Sequence, residues 1–211
     1  MKKNVLFILI FSFLLVTTGC NSNRPVINPN RVEINLDEFV IPNENLPVIL
    51  IDFEEFGHVI AQLYPEYAPI TVENFLSLVD EGFYDGLTFH RIINRFMIQG
   101  GDPDGTGMGG SGTQIIGEFS NNGIDNPIEH RRGVLSMARA FDFNSASSQF
   151  FIMHADSPHL DGGYAGFGSV IEGIEIIDRV VASVNPIDRN GTVVDEEQPV
   201  IRQIRLLHSG N

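Results

Sequence analysis

Eight short apolar runs, separated by turn residues and joined by only two helical stripes, set the main constraint on this chain. Val48–Phe53 is rich in Val, Ile and Leu, and Gly57 offers a turn before a second run, His58–Tyr64. That is the pattern of a β-hairpin. Further strand candidates are Leu87–Ile93, Phe96–Gln99, Gly133–Ala138, Gln149–Met153, Gly166–Val170 and Val200–Leu207. Pro69–Val79 carries apolar residues at 72, 75, 76 and 79 and is closed by Gly82. Gly173–Ala182 repeats the helical spacing with Ile174, Ile177, Val180 and Val181. The elements do not alternate as βαβ units, so a doubly wound parallel sheet is disfavoured. A mainly β fold is expected, a closed eight-stranded antiparallel barrel that hides its own edges.

Composition narrows the function classes. The 211 residues are 43% hydrophobic and 19% charged, enough to bury a core. Thirteen basic residues against 27 acidic ones give a net charge of −14, and both lysines, Lys2 and Lys3, sit at the extreme N-terminus. A nucleic-acid partner bound by phosphate neutralisation is therefore excluded. One cysteine, Cys20, rules out an internal disulfide framework and a CxxC zinc or redox site. The six histidines show no HExxH spacing, and the serines lack a GxSxG elbow. Gly105–Gly110 formally fits GxGxxG, but no helical pattern follows it. Seven glycines between Gly100 and Gly112 instead suggest a loop pressed closely against its surroundings. No cofactor or metal is expected.

The N-terminus has the pattern of an address. Lys2 and Lys3 precede an apolar run from Val5 to Val16, then Thr17-Thr-Gly-Cys20. This matches the charged, apolar and small-residue regions of an export signal. Twelve residues are too few for a helix that spans a bilayer, which takes about 20. The sole cysteine after small residues resembles the lipobox of bacterial lipoproteins, although Thr17 stands where leucine is usual. The resemblance implies cleavage before Cys20 and a diacylglyceryl anchor on its thiol, facing the extracytoplasmic side of the cell membrane. A short membrane anchor and a plain secreted protein are the competing readings. Loss of residues 1–19 removes two lysines and no acid, taking −14 to −16. The expected organisation is a signal over 1–19, a tether over 20–46 and one domain over 47–208. In the tether, Val32, Ile34 and Leu36 alternate with polar residues, so part of it could lie on the domain as a strand.

The remaining signal is polar residues set inside apolar strands: Phe89-His-Arg-Ile-Ile93, Phe96-Met-Ile-Gln-Gly-Gly-Asp102 and Ser148-Gln-Phe-Phe-Ile152. With Thr71-Val-Glu-Asn-Phe75, Gly133-Val-Leu-Ser-Met-Ala138, Leu160-Asp-Gly162 and Phe167-Gly168, these segments resemble the cyclophilin-type peptidyl-prolyl isomerases. The resemblance covers about Val48 to His208. It implies an eight-stranded antiparallel β-barrel capped by two α-helices, and it implies catalysis of X–Pro bond rotation with no cofactor. By the same resemblance Arg91 is the catalytic arginine, with Gln99 beside it. Phe96, Met97, Phe151 and Leu160 form the proline pocket, Gln149 is a polar neighbour, and His90 lies at the rim. Ala138, Arg139 and Ala140 offer a strand edge to the peptide, and Gly105 and Thr106 belong to a glycine-rich wall.

Three positions depart from the common pattern. Arg139 stands where asparagine is frequent, at a place that binds mainly through its backbone. Tyr164 replaces a pocket-edge histidine. His159 replaces a tryptophan or phenylalanine, which implies weak cyclosporin binding more than impaired catalysis. The partners implied are proline-containing peptides and exported unfolded proteins, met by a monomer. A proline-peptide-binding chaperone or scaffold with negligible catalysis is the rival reading. For the anchor, Cys20→Ser is expected to release the protein from membranes. Unchanged membrane retention with an intact signal would count against lipidation.

Overall fold

A computed structural model describes residues 43, 45–208 and 210. The signal, Cys20 and the alternating Val32, Ile34 and Leu36 lie outside the described residues. The β-branched runs pair as one antiparallel sheet: β1 (Val48–Phe53), β2 (Gly57–Leu63), β3 (Arg91–Ile93), β4 (Met97–Gly100), β5 (Val134–Met137), β6 (Phe150–Met153), β7 (Gly166–Glu172) and β8 (Ile201–His208). Across the sheet the order is β3-β4-β6-β5-β7-β2-β1-β8. Two helices, α1 (Pro69–Asp80) and α2 (Ile174–Ser183), complete the mainly β architecture.

One expected strand is shorter than its apolar run. Leu87–Ile93 is regular strand only from Arg91; before it, Thr88 makes only isolated bridges, to Asp102 past the end of β4 and to Val200. Phe89 N–H donates to the Pro199 carbonyl at 2.9 Å, and Ile201 N–H donates to the Leu87 carbonyl at 2.7 Å. These bonds tie the chain before β3 to the start of β8, the two strands at the ends of the sheet order.

Period-two alternation sorts the side chains into two sets. Ile92, Ile98, Ile152 and Leu135 pair across β3, β4, β6 and β5 and all join the main core. Phe75 of α1 plugs that core, with its ring 5.0–5.3 Å from Tyr84, Phe150 and Phe167. Neighbouring residues on the same strands face the other way, where Met97, Phe151, Met153, Val134 and Leu160 form a second apolar cluster. Gly100 ends β4 because nothing larger fits: a Cβ there would lie 2.5 Å from the Thr88 carbonyl oxygen.

The start of α1 depends on a residue far away in sequence. Pro69 suits the first helical turn, but Ala68 at the N-cap provides no side-chain acceptor. Glu118, only 2% exposed, accepts from the N–H groups of Ile70 and Thr71 at 3.0 and 2.7 Å and from Thr71 Oγ1 at 2.6 Å. A buried carboxylate thus satisfies the otherwise orphaned donors at the positive end of the helix. Glu118→Ala strands those donors and should lower the unfolding free energy by about 2–4 kcal/mol. Denaturant titration checks this: a falling midpoint at unchanged slope is expected.

Candidate active site

The outward row of the same four strands carries the chemistry. Arg91 pairs with Gln99, Gln99 with Phe151, and Phe151 with Ser136. Strand alternation therefore places an arginine, an amide, an aromatic ring and a hydroxyl side by side on the face opposite the main core. Arg91 is half-buried there rather than fully solvated.

Arg91 has five N–H donors and no acceptor, and this polarises what surrounds it. Its Nε donates to the Asn190 carbonyl at 2.7 Å and its Nη1 to Gln99 Oε1 at 3.0 Å. With that oxygen committed, Gln99 Nε2 donates to Gln149 Oε1 at 2.9 Å, and Gln149 Nε2 to the Gly109 carbonyl at 2.9 Å. Every amide in the series points the same way because the first donor is a cation. Among the described residues nothing accepts from Arg91 Nη2, which leaves that nitrogen available to a ligand. Burial pulls the guanidinium below its ordinary pKa, yet it stays cationic at any ordinary pH.

Arg91 lines a cavity of about 350 Å³ whose apolar wall is Phe96, Met97, Phe151 and Leu160. Of the other residues singled out in the sequence, His90, Gln99, Gly105, Thr106, Ala138, Arg139 and Tyr164 also line it. Gln149 and Ala140 line an adjoining hollow that shares Gln99, Gly107, Ala138 and Arg139 with the first. His159 is exposed outside both and stacks on Phe96 with ring centres 5.6 Å apart. Sequence reasoning missed one wall altogether. Thr192, Val193, Asp195 and Gln198 come from the segment before β8, and no local pattern marks them.

Three expectations need correction in detail. His90 is not at a rim; it is 5% exposed, and neither ring nitrogen has a hydrogen-bond partner among the described residues. Burial lowers its pKa, Asp102 opposes this, and Arg91 reinforces it. The strand edge at 138–140 is less open than expected, because Ala138 N–H already donates to the Gln149 carbonyl and Ala140 N–H to Ser145 Oγ. Between them, the Arg139 N–H donates to no described group. The Arg139 side chain is also not idle. Its guanidinium carbon lies 4.7, 4.8 and 5.2 Å from the ring centres of Tyr164, Phe143 and Phe119, an aromatic cage for a cation.

The glycine-rich wall folds around Asp102. The carboxylate accepts from the N–H groups of Asp104, Thr106 and Gly107 at 2.9, 3.1 and 2.6 Å. Burial alone would raise its pKa, but N–H groups of the loop outweigh burial and hold it low. Gly107 adopts φ 86°, and a Cβ there would meet His90 Nε2 at 3.3 Å, so the loop passes directly over the imidazole. Among the described residues no three His, Cys, Asp or Glu side chains gather as a metal site.

Residues 48–210 match the family described as cyclophilin type peptidyl-prolyl cis-trans isomerase/CLD. The chain belongs to that family. Its similarity to individual members is substantial. Peptidyl-prolyl cis-trans isomerase B of Bacillus subtilis is 53% identical over 114 residues, 54% of this chain and 76% of that protein. Peptidyl-prolyl cis-trans isomerase ppi1 of Schizosaccharomyces pombe is 47% identical over 125 residues, 59% of this chain and 79% of that protein. A crystal structure of a Cryptosporidium parvum cyclophilin in the presence of the dipeptide Ala-Pro superposes with a TM-score of 0.66 at 34% identity, covering 75% of this chain and 98% of that one. The fold is the cyclophilin fold, and the enzyme is a peptidyl-prolyl cis-trans isomerase.

Beneath the aromatic wall of this cyclophilin lies a histidine that the sequence did not single out. His130 is 1% exposed and stacks on Phe151 at 6.0 Å. Its Nδ1 meets Asp161 Oδ1 at 2.9 Å and its Nε2 meets Ser136 Oγ at 2.9 Å. Asp161 only accepts, so Nδ1 carries the proton and Nε2 accepts from the serine hydroxyl. Burial lowers the pKa of His130, against the pull of Asp161. An imidazole harder to protonate when folded makes the unfolded state the better proton acceptor once pH falls through about 6.5. Stability should therefore decline on acidification below about pH 6.5. Thermal unfolding of the wild type and His130→Gln at several pH values checks this, with a shallower decline expected in the variant.

Proposed function

We propose that this enzyme accelerates X–Pro rotation in exported proteins by holding the proline ring in the apolar cavity while Arg91 stabilises the twisted imide. Rotation is opposed by about 18–20 kcal/mol of amide resonance, and X–Pro bonds exchange only over tens to hundreds of seconds unaided. No bond has to break. As the imide twists, its nitrogen becomes pyramidal and gains a lone pair. A donor aimed at that nitrogen and at the proline carbonyl therefore binds the twisted state more strongly than the planar one, which is the requirement for catalysis.

One observation carries this reading: Arg91 is fixed by Asn190 and Gln99 at the border of the Phe96, Met97, Phe151 and Leu160 cavity, with Nη2 unengaged. Gln99 acts as the positioning group, held in turn by Gln149. The Arg139 N–H and neighbouring carbonyls of 138–140 offer the peptide backbone a partial strand. In the same reading the bonds from Leu87 and Phe89 to Ile201 and Pro199 are the seam that closes the sheet into a barrel, with α1 and α2 as its caps. The isomerase acts as a monomer tethered through Cys20 on the extracytoplasmic side of the cell membrane. This rests on the signal-like N-terminus and the single cysteine following it.

Arg91→Ala should lower kcat/KM on an X–Pro peptide by about 10²–10³-fold, with the cavity still able to bind proline peptides. NMR exchange or protease-coupled kinetics measures it. A wild type as inactive as the variant would sink the catalytic reading and leave a proline-binding module.

A further inference from the structure

The hairpin that places Phe96 in the cavity wall contains the one strained backbone position outside glycine among the described residues. The turn Ile93–Phe96 is closed by Phe96 N–H donating to the Ile93 carbonyl at 3.1 Å. Its third residue, Arg95, has φ 61° and is the only non-glycine described residue with positive φ. Turns of this shape favour glycine there, and any other residue is held only by its surroundings.

One side chain meets the Arg95 backbone directly. Arg95 N–H donates to His154 Nδ1 at 2.9 Å. Because that nitrogen accepts, the proton of the neutral ring sits on Nε2, which meets Asp178 Oδ1 of α2 at 3.0 Å. Arg132 completes the bracket, with Nη2 to Asp178 Oδ2 and Nη1 to the His154 carbonyl, each at 2.8 Å. The backbone of the same residue grips the turn as well, since His154 N–H donates to the Phe96 carbonyl at 2.9 Å.

We infer that His154 is a positioning residue for isomerisation: its imidazole holds Arg95 in the left-handed conformation and so fixes Phe96 in the wall of the proline cavity. His154 does not line the cavity and touches no substrate. Its effect passes through two consecutive residues, 95 and 96, and is paid for by α2 through Asp178. Without the Nδ1 acceptor, Arg95 relaxes toward negative φ, the turn changes shape, and Phe96 leaves the wall. The inference rests on the proposed role of Phe96 as a wall of the proline site.

The test uses two rescues on the full chain with an X–Pro peptide. His154→Ala should lower kcat/KM about tenfold, mostly through KM, as expected for loss of one hydrogen bond's worth of positioning. Asparagine places an oxygen near the Nδ1 site, so His154→Asn should stay within about twofold of wild type. Glutamine reaches the Nε2 site and Asp178 but not Arg95, so His154→Gln should match the alanine variant. Arg95→Gly, which adopts positive φ without strain, should restore activity in the His154→Ala background. An unchanged His154→Ala, equal behaviour of Asn and Gln, or failure of Arg95→Gly to rescue would each overturn the inference. If His154→Ala does not fold, the Asn and Gln pair still decides. An inactive wild type would instead indict the catalytic reading of Arg91, which these variants leave untouched.

Discussion

Arg91 can only donate, and the polar order of the site follows from that. A guanidinium half-removed from water needs acceptors, and the protein supplies one backbone carbonyl and one amide oxygen. Once Gln99 turns its oxygen to the cation, its nitrogen must find an acceptor, and so must that of Gln149. The series ends on the Gly109 carbonyl, in the glycine-rich loop. That loop is itself wrapped around the Asp102 carboxylate by three N–H donors. A cation, two amides, a loop and a buried anion thus form a single hydrogen-bonded assembly in which few groups are free to choose another partner.

The assembly can exist because the outer face of the sheet is partly covered. Ile92, Ile98, Ile152 and Leu135 anchor the strands to the main core, while Arg91, Gln99, Phe151 and Ser136 alternate with them on the opposite side. A half-solvated antiparallel sheet usually shows water one of its faces. Here a second cluster of Met97, Phe151, Met153 and Leu160 covers part of the outer face, and His130 packs against its aromatic rings. The cavity is the gap left in that second layer. Its floor comes from β3, β4 and β6, and the rest of its wall from segments that are not strands, including the turn before β4 and the chain between α2 and β8.

Element type was legible in the sequence because the composition and spacing are strong: β1, β2 and α2 fall within a residue or two of where β-rich runs split by the Gly57 turn, and helical spacing, place them. The residues of the Arg91, Gln99 and Phe151 row were legible for a different reason. Polar side chains inside apolar strands break the pattern, and their break repeats a family's motif. Less accessible was everything that works through distance. Glu118 capping α1 lies 47 residues from Thr71, and Arg139 looked like a backbone contact until three rings from separate segments closed around it. His154 carries no motif of its own.

What the sequence determined by itself was the alphabet of short-range structure: strands, two helical stripes, and a set of polar residues at fixed strand positions. Those follow from periods of 2 and 3.6 residues, which are properties of neighbouring amino acids. The tertiary structure decided which way each strand faces and which distant groups meet the Arg91 row. Pairing register is a relation between segments, and a shift of one residue would exchange the core row with the Arg91 row. Only in the folded chain does Ile98 become core and Gln99, its neighbour, the partner of the arginine.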